Sequence, residues 1–154
     1  MSVQARLEQL GIVLPPPPQP AGAYAPAVRT GDLVFVAGQL PSADGQVQFK
    51  GQLGRDLDVA AGQQAARLCA LNALSVLAAA CGSLDAVRRI VRVGGFICSA
   101  PEFTDQPLVL NGASELIAQV LGPAGVHARV AVGCPCLPLG AAVELELLAE
   151  AAQV

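Results

Sequence analysis

Apolar positions along this chain follow two periods, and the switches between them divide it into elements. From residue 59 to 80 the spacing is helical: Ala65, Cys69, Asn72, Val76 and Ala80 fall on one stripe, and Leu68, Leu71 and Leu74 widen it. Asp58 stands where a helix N-cap belongs and Gly82 where a helix stops. A second helical run, residues 107–121, puts Val109, Ala113, Leu116, Ile117 and Val120 on one side before Gly122-Pro123 ends it. Near the C-terminus the period drops to two: Val143, Leu145 and Leu147 alternate with Glu144, Glu146 and Leu148, as in a strand with one buried face.

Strands are also expected at 24–29 and 33–37, joined by Thr30-Gly31-Asp32, and at 89–98, 127–134 and 141–149. Ser42-Ala43-Asp44-Gly45 reads as a turn, 47–49 as a short extra strand, and 83–87 as a capped turn. The last two strands, separated by Leu137-Pro138-Leu139-Gly140, read as a hairpin. At the front, Ser2 caps a short helix to Leu10 whose Val3, Leu7 and Leu10 share a face; Gly11 stops it, and Pro15-Pro16-Pro17-Pro18-Gln19-Pro20 forces an extended lead-in. The order β-β-(β)-α-β-α-β-β predicts an α+β layer, a mixed sheet with two helices on one face. Residues 1–154 are expected to form one domain, with 1–20 as its helix and proline-rich lead-in.

Composition adds an expectation about assembly. Hydrophobic residues make up 53% of the chain but charged ones only 14%, and the aromatics are four Phe and one Tyr. A core of Ala, Val and Leu follows, with too little charge to cover the surface of a lone protomer, so an oligomer is expected. A net charge of −3, with Lys and Arg scattered apart from Arg88, Arg89 and Arg92, gives no basic face for nucleic acid; the arginine trio reads as a solvated edge. No uninterrupted apolar run reaches the length of a bilayer span and no secretory pattern opens the chain, so neither membrane nor export is expected. Five cysteines, an odd set, fit a reducing, cytoplasmic setting. Cys134-Pro135-Cys136 lacks the second close pair or histidines of a zinc site, so no metal is expected.

Most catalytic devices are thin here. The single histidine, His127, has no nucleophile motif beside it and reads as a packed or edge residue; no phosphate-binding glycine loop is present. Two charges stand out in apolar strands: Arg129 in Val126-His127-Ala128-Arg129-Val130-Ala131-Val132, and Glu144 between Val143 and Leu145. If the last two strands pair near their loop, both reach one end of the sheet. A guanidinium in an apolar wall grips a carboxylate with two prongs, and a nearby carboxylate can hold a water or take a proton. The same spacing also fits a structural Arg–Glu pair at a subunit boundary.

The chain after the proline run resembles the Rid/YjgF family, the reactive-intermediate deaminases also labelled L-PSP endoribonucleases. Carrying the resemblance are Gly22-Ala23-Tyr24, Val34-Phe35-Val36-Ala37-Gly38-Gln39-Leu40-Pro41, residues 65–74, the strand through Phe96, and Ala128-Arg129 followed by Leu137-Pro138 and Val143-Glu144-Leu145-Glu146. The resemblance implies a chorismate-mutase-like fold, a homotrimer with clefts between subunits, and no cofactor. It implies hydrolysis of 2-aminoacrylate and other 2-imino acids to 2-keto acids and ammonia. Arg129 would grip the substrate carboxylate and Glu144 would place the water, while Tyr24, Gly38, Phe96, Asn111 and Ala131 would line the cleft. The pattern departs from the family at Ala23, at Ala131 where a small polar residue or Cys is usual, and in a longer segment from Phe103 to Arg129. A non-catalytic trimer that binds or senses small carboxylates is the alternative, and a ribonuclease, suggested by the family label, a third.

Overall fold

The architecture hangs on one long helix that local chemistry starts and stops. Asp58 accepts a hydrogen bond from the Ala61 amide at 2.8 Å, and Gly82 closes the helix in the left-handed region at φ 78°, fixing α2 as Val59–Cys81. The computed structural model describes residues 1–153. Before α2 come helix α1 (Val3–Gln9), strands β1 (Ala27–Thr30) and β2 (Leu33–Gln39), and a minimal hairpin of β3 (Ser42–Ala43) and β4 (Gln46–Val47). After it come β5 (Val87–Cys98), α3 (Gln106–Leu121), β6 (Ala128–Cys134) and β7 (Val143–Ala151). The main sheet runs β1-β2-β7-β5-β6; only the β5–β6 pair is parallel. An α+β layer with a mixed sheet is therefore what forms.

Along β7 the odd residues Val143 to Ala151 are buried, while Glu144, Glu146, Leu148 and Glu150 look the other way. That buried side meets α2, while α3 packs on α2 and against β5 and β6, with its Val109, Ala113, Leu116, Ile117 and Val120 all inaccessible. Ala80 departs from the expected stripe: it lies in the exposed last turn of α2. Leu10 is likewise exposed, whereas Leu7 of α1 is buried. By length and composition α2 could span a bilayer, but most of it is buried against β2, β7 and α3. The polar residues that interrupt its apolar run tie loops down: Asn72 Nδ2 donates to the carbonyls of Leu40 and Ser42, and Ser75 Oγ donates to that of Pro15. The proline lead-in is thus fastened across α2.

The helix-free face of the sheet is uncovered. Val28, Phe35 and Val132 stand exposed on it, with a cavity lined by Val28, Phe35, Arg92, Gly94, Glu146 and Leu148. Arg92 pairs with Glu146 there at 3.5 Å; Arg88 and Arg89 reach Glu150, and Arg88 also Asp32, so the arginine trio is a solvated, ion-paired edge.

Three expectations need correction. The last two strands are not a hairpin: β5 lies between them, paired with β6 on one side and β7 on the other. The first strand starts at Ala27 rather than Tyr24, because Pro26 has no N–H to offer a ladder and gives only its carbonyl, to the Ala37 amide. The extra strand expected at 47–49 is instead the β3–β4 hairpin, turned at Asp44 and Gly45, both at positive φ.

Candidate functional site

Register places the two charged candidates far apart. Arg129 sits beside Val93, which pairs with Leu147; both neighbours are buried against the helices, so Arg129 leaves β6 on the helix side. Glu144 pairs with Phe96, which pairs with Val132, and this row lies on the open face. Three rungs along the strands and two strands across put their Cα atoms roughly 14 Å apart. One chain does not bring Arg129 and Glu144 to one ligand, and the idea that both reach the same end of the sheet is wrong for a single protomer.

Each nevertheless has its own setting. Arg129, half-buried at the β6 edge, donates from Nη1 to Ser114 Oγ at 3.1 Å and from Nη2 to the Pro107 carbonyl at 3.1 Å. Two of its five N–H groups are thereby used and three remain. Asn111, also half-buried, lies one turn beyond Pro107 and one before Ser114, on the same helix stripe. Ala131 pairs with Gly95 and packs against the core, so its side chain faces inward.

Glu144 is half-buried and makes no ion pair among the described residues. Burial, and then the neighbouring Glu146 carboxylate, pushes its carboxyl above the ordinary range. It lies directly against Gly38, where a Cβ would collide with its Oε1. Gly38 owes that place to an irregularity between Val36 and Gln39, where β2 slips in register against β7. Phe96 stands next to Glu144 on the same face. Tyr24, 52% exposed on the loop before β1, takes a hydrogen bond on Oη from the Ala21 amide. The candidates thus divide into a β6–α3 group (Arg129, Asn111) and an open-face group (Glu144, Gly38, Phe96), with Tyr24 near the β1 edge.

Sequence reasoning missed two residues beside Arg129. Ser114 Oγ lies 3.0 Å from His127 Nε2, and His127 Nδ1 lies 2.6 Å from the Gly125 carbonyl. His127 was legible only as a lone histidine, and nothing in the spacing joined it to Ser114 until β6 was seen beside α3. All five cysteines are free; Cys98 and Cys134 are register partners and Cys136 is exposed. Among the described residues no cluster of three or more His, Cys, Asp or Glu is placed to hold a metal ion.

Residues 4–151 match the family described as "YjgF/chorismate mutase-like, putative endoribonuclease". Protein TCP17 of Trypanosoma cruzi is 49% identical over 149 residues, covering 96% of this chain and 93% of its own. The crystal structure of Atu1372 from Agrobacterium tumefaciens, a protein of unknown function, superposes with a TM-score of 0.90 at 46% identity, covering 97% of this chain and 92% of that one. The YjgF gene product of E. coli superposes less closely, at a TM-score of 0.64 and 27% identity over 89% of this chain and 93% of that one.

Proposed function

The chain belongs to the YjgF/chorismate mutase-like family, and on that premise we propose that it hydrolyses 2-imino acids to 2-keto acids and ammonia in a cleft between subunits. The observation that carries this reading is Glu144: a half-buried carboxyl without an ion-pair partner among the described residues, lodged against a glycine beside an aromatic ring. A carboxylate that needed only to be solvated would not be kept there, whereas one that must hold a water has to be free of other partners.

Two half-sites, one on the β6 edge and one on the open face, fit an assembly in which the Arg129 edge of one copy meets the Glu144 face of the next. The uncovered apolar face, with Phe35 46% exposed, supports such closure, and a homotrimer closes it with threefold symmetry. Free thiols fit a reducing, cytoplasmic compartment.

In this scheme the three remaining N–H groups of Arg129 take the carboxylate of R–C(=NH)–COO⁻. Glu144 accepts a proton from the bound water as its oxygen adds to the imine carbon, and the C=N electron pair moves to nitrogen, which takes a proton. The resulting carbinolamine expels ammonia and leaves R–CO–COO⁻. No redox partner is needed, and orientation with one held water supplies the modest acceleration such a labile bond requires. RNA cleavage, which the family description names, is not favoured: the chain is acidic, and the open face carries Glu144, Glu146 and Glu150.

The test is keto-acid release from 2-iminopropionate generated in situ by an amino-acid oxidase, with and without the protein. Arg129→Ala and Arg129→Lys should both lose about 30- to 1000-fold in kcat/KM, the loss of a charge-assisted two-pronged contact of roughly 2–4 kcal/mol. Light scattering should give three chain masses for parent and variants. A parent that binds 2-oxobutyrate through Arg129 yet releases no keto acid would replace the enzyme by a carboxylate-binding trimer.

A further inference from the structure

With the imidazole neutral, the groups around Arg129 form a hydrogen-bonded chain with one consistent direction. A carbonyl oxygen only accepts, so the 2.6 Å contact between His127 Nδ1 and the Gly125 carbonyl puts the imidazole proton on Nδ1. Nε2 of the neutral ring is then an acceptor, and the Ser114 hydroxyl, 3.0 Å away, must give it its proton. With that proton committed, the lone pairs of Ser114 Oγ face the Arg129 guanidinium, which donates at 3.1 Å. The far end is equally fixed. Gly125 is buried so tightly on α3 that a Cβ would press on the Ile117 carbonyl and Ala118 Cα, so its own carbonyl cannot wander from the helix.

Arg129 is therefore held at two points, by the Pro107 carbonyl in the first turn of α3 and by Ser114 two turns later. The first is a plain backbone contact. The second holds only while the serine hydroxyl points away from the arginine, and His127 decides that. Resting on the reading of Arg129 as the carboxylate anchor, we infer that Ser114 and His127 are positioning residues that aim the guanidinium, His127 by orienting the Ser114 hydroxyl. Their contribution falls on carboxylate binding and not on the water-addition step, which belongs to Glu144 on the other face of the sheet.

Several features of the chain fit this role. His127 is its only histidine, yet its ring is satisfied on both nitrogens. Ser114 lies at the centre of α3, where a serine lowers helix propensity unless its hydroxyl has work elsewhere. Both are half-buried, so neither is part of the apolar core whose loss would unfold the protein.

The experiment measures 2-oxobutyrate binding by calorimetry and imine-hydrolysis kinetics on the same preparations of parent, Arg129→Ala, Ser114→Ala, His127→Phe and His127→Gln. Ser114→Ala and His127→Phe should each weaken 2-oxobutyrate binding and raise KM about 5- to 30-fold, the scale of one well-made hydrogen bond to a charged group, with kcat within about twofold. His127→Gln, whose side-chain oxygen can accept the serine proton, should recover binding to within about threefold of the parent. If Ser114→Ala and His127→Phe bind like the parent while Arg129→Ala does not, the relay is structural and this inference fails, but the arginine anchor stands. If His127→Gln is no better than His127→Phe, orientation of the hydroxyl is not what matters, and the inference is overturned. If Arg129→Ala itself binds like the parent, anchor and relay fall together.

Discussion

Gly38→Ala separates a stability effect from a catalytic one at a single atom. The added Cβ would point at Glu144 Oε1 from inside the carboxylate's own volume, and the next atoms it meets belong to the same side chain, Cδ at 3.1 Å and Cγ at 3.3 Å. No backbone atom is among these nearest neighbours, and Gly38 is not one of the glycines at positive φ, so the main chain accepts alanine. What must move is the tip of a flexible, half-buried glutamate, by on the order of 1 Å, to restore ordinary van der Waals separation. The cost in stability is small, within about 1 kcal/mol, because removing glycine from a strand itself returns about 0.5–1 kcal/mol. The cost in rate is not small: a misplacement of about 1 Å in a group that holds the attacking water is worth about 100-fold in kcat. Binding of 2-oxobutyrate should barely change, since Arg129 grips the carboxylate and the nearest atoms the new Cβ meets all belong to Glu144. Urea unfolding, calorimetry and single-turnover imine hydrolysis on one preparation decide it. A folded Gly38→Ala with kcat within threefold of the parent would mean that the position of the Glu144 carboxylate is irrelevant to turnover. A stability loss above about 3 kcal/mol would mean that the carboxylate is wedged and the side chain not free to yield.

The other expected outcomes concern pH and packing. Because burial and then Glu146 raise the Glu144 carboxyl, turnover should climb with pH through a limb above the ordinary carboxylate range; Glu146→Gln should move that limb to lower pH without abolishing it, and an unmoved limb would assign it to another group. The linked stability has the opposite sign: a carboxyl whose pKa rises on folding favours the folded state most below its unfolded pKa, and that contribution is lost as pH rises through the folded value. Glu144→Gln should flatten this part of the stability–pH curve. Gly112→Ala should destabilise by about 1–3 kcal/mol in urea unfolding, despite a helix-propensity gain of about 1 kcal/mol, because the new Cβ would overlap the Gln63 main chain where α3 crosses α2; a stabilised variant would refute that close approach.

Local signals were strong enough to read most elements from the sequence. Asp58, Gly82, Ser2 and the alternation along β7 act through neighbours a few residues away, and each does in the fold what its chemistry suggests. Boundaries shifted where a single group overruled a pattern, as Pro26 did for β1. Leu10 and Ala80 kept the right spacing but lie at helix ends, where the stripe runs off the edge of its partner. Arg129 and Glu144 were conspicuous as charges among apolar residues. Ser114 was invisible, because an isolated serine in a helix carries no signature until the strand beside it is known.

The strand order was the larger omission, and it had a readable trace. β5, α3 and β6 form a strand–helix–strand unit, whose two strands lie parallel and adjacent once the helix packs back on the sheet. That pairing leaves β7 a place beside β6 or beside β5, and in the fold it takes the far side of β5, next to β2. Composition agrees: β7 alternates strictly, with five buried inward positions, as a central strand does, whereas β6 is half-exposed and ends at Gly133-Cys134 with Pro135 just after it, as an edge does. Once β7 is central, parity fixes the rest. Arg129 shares a row with Val93 and Leu147, Glu144 shares one with Phe96 and Val132, and the two rows face opposite ways. Two residues fifteen apart in sequence that look like partners are then separated by the thickness of the sheet. For both to act on one small carboxylate, the Arg129 edge and the Glu144 face have to come from different copies of the chain.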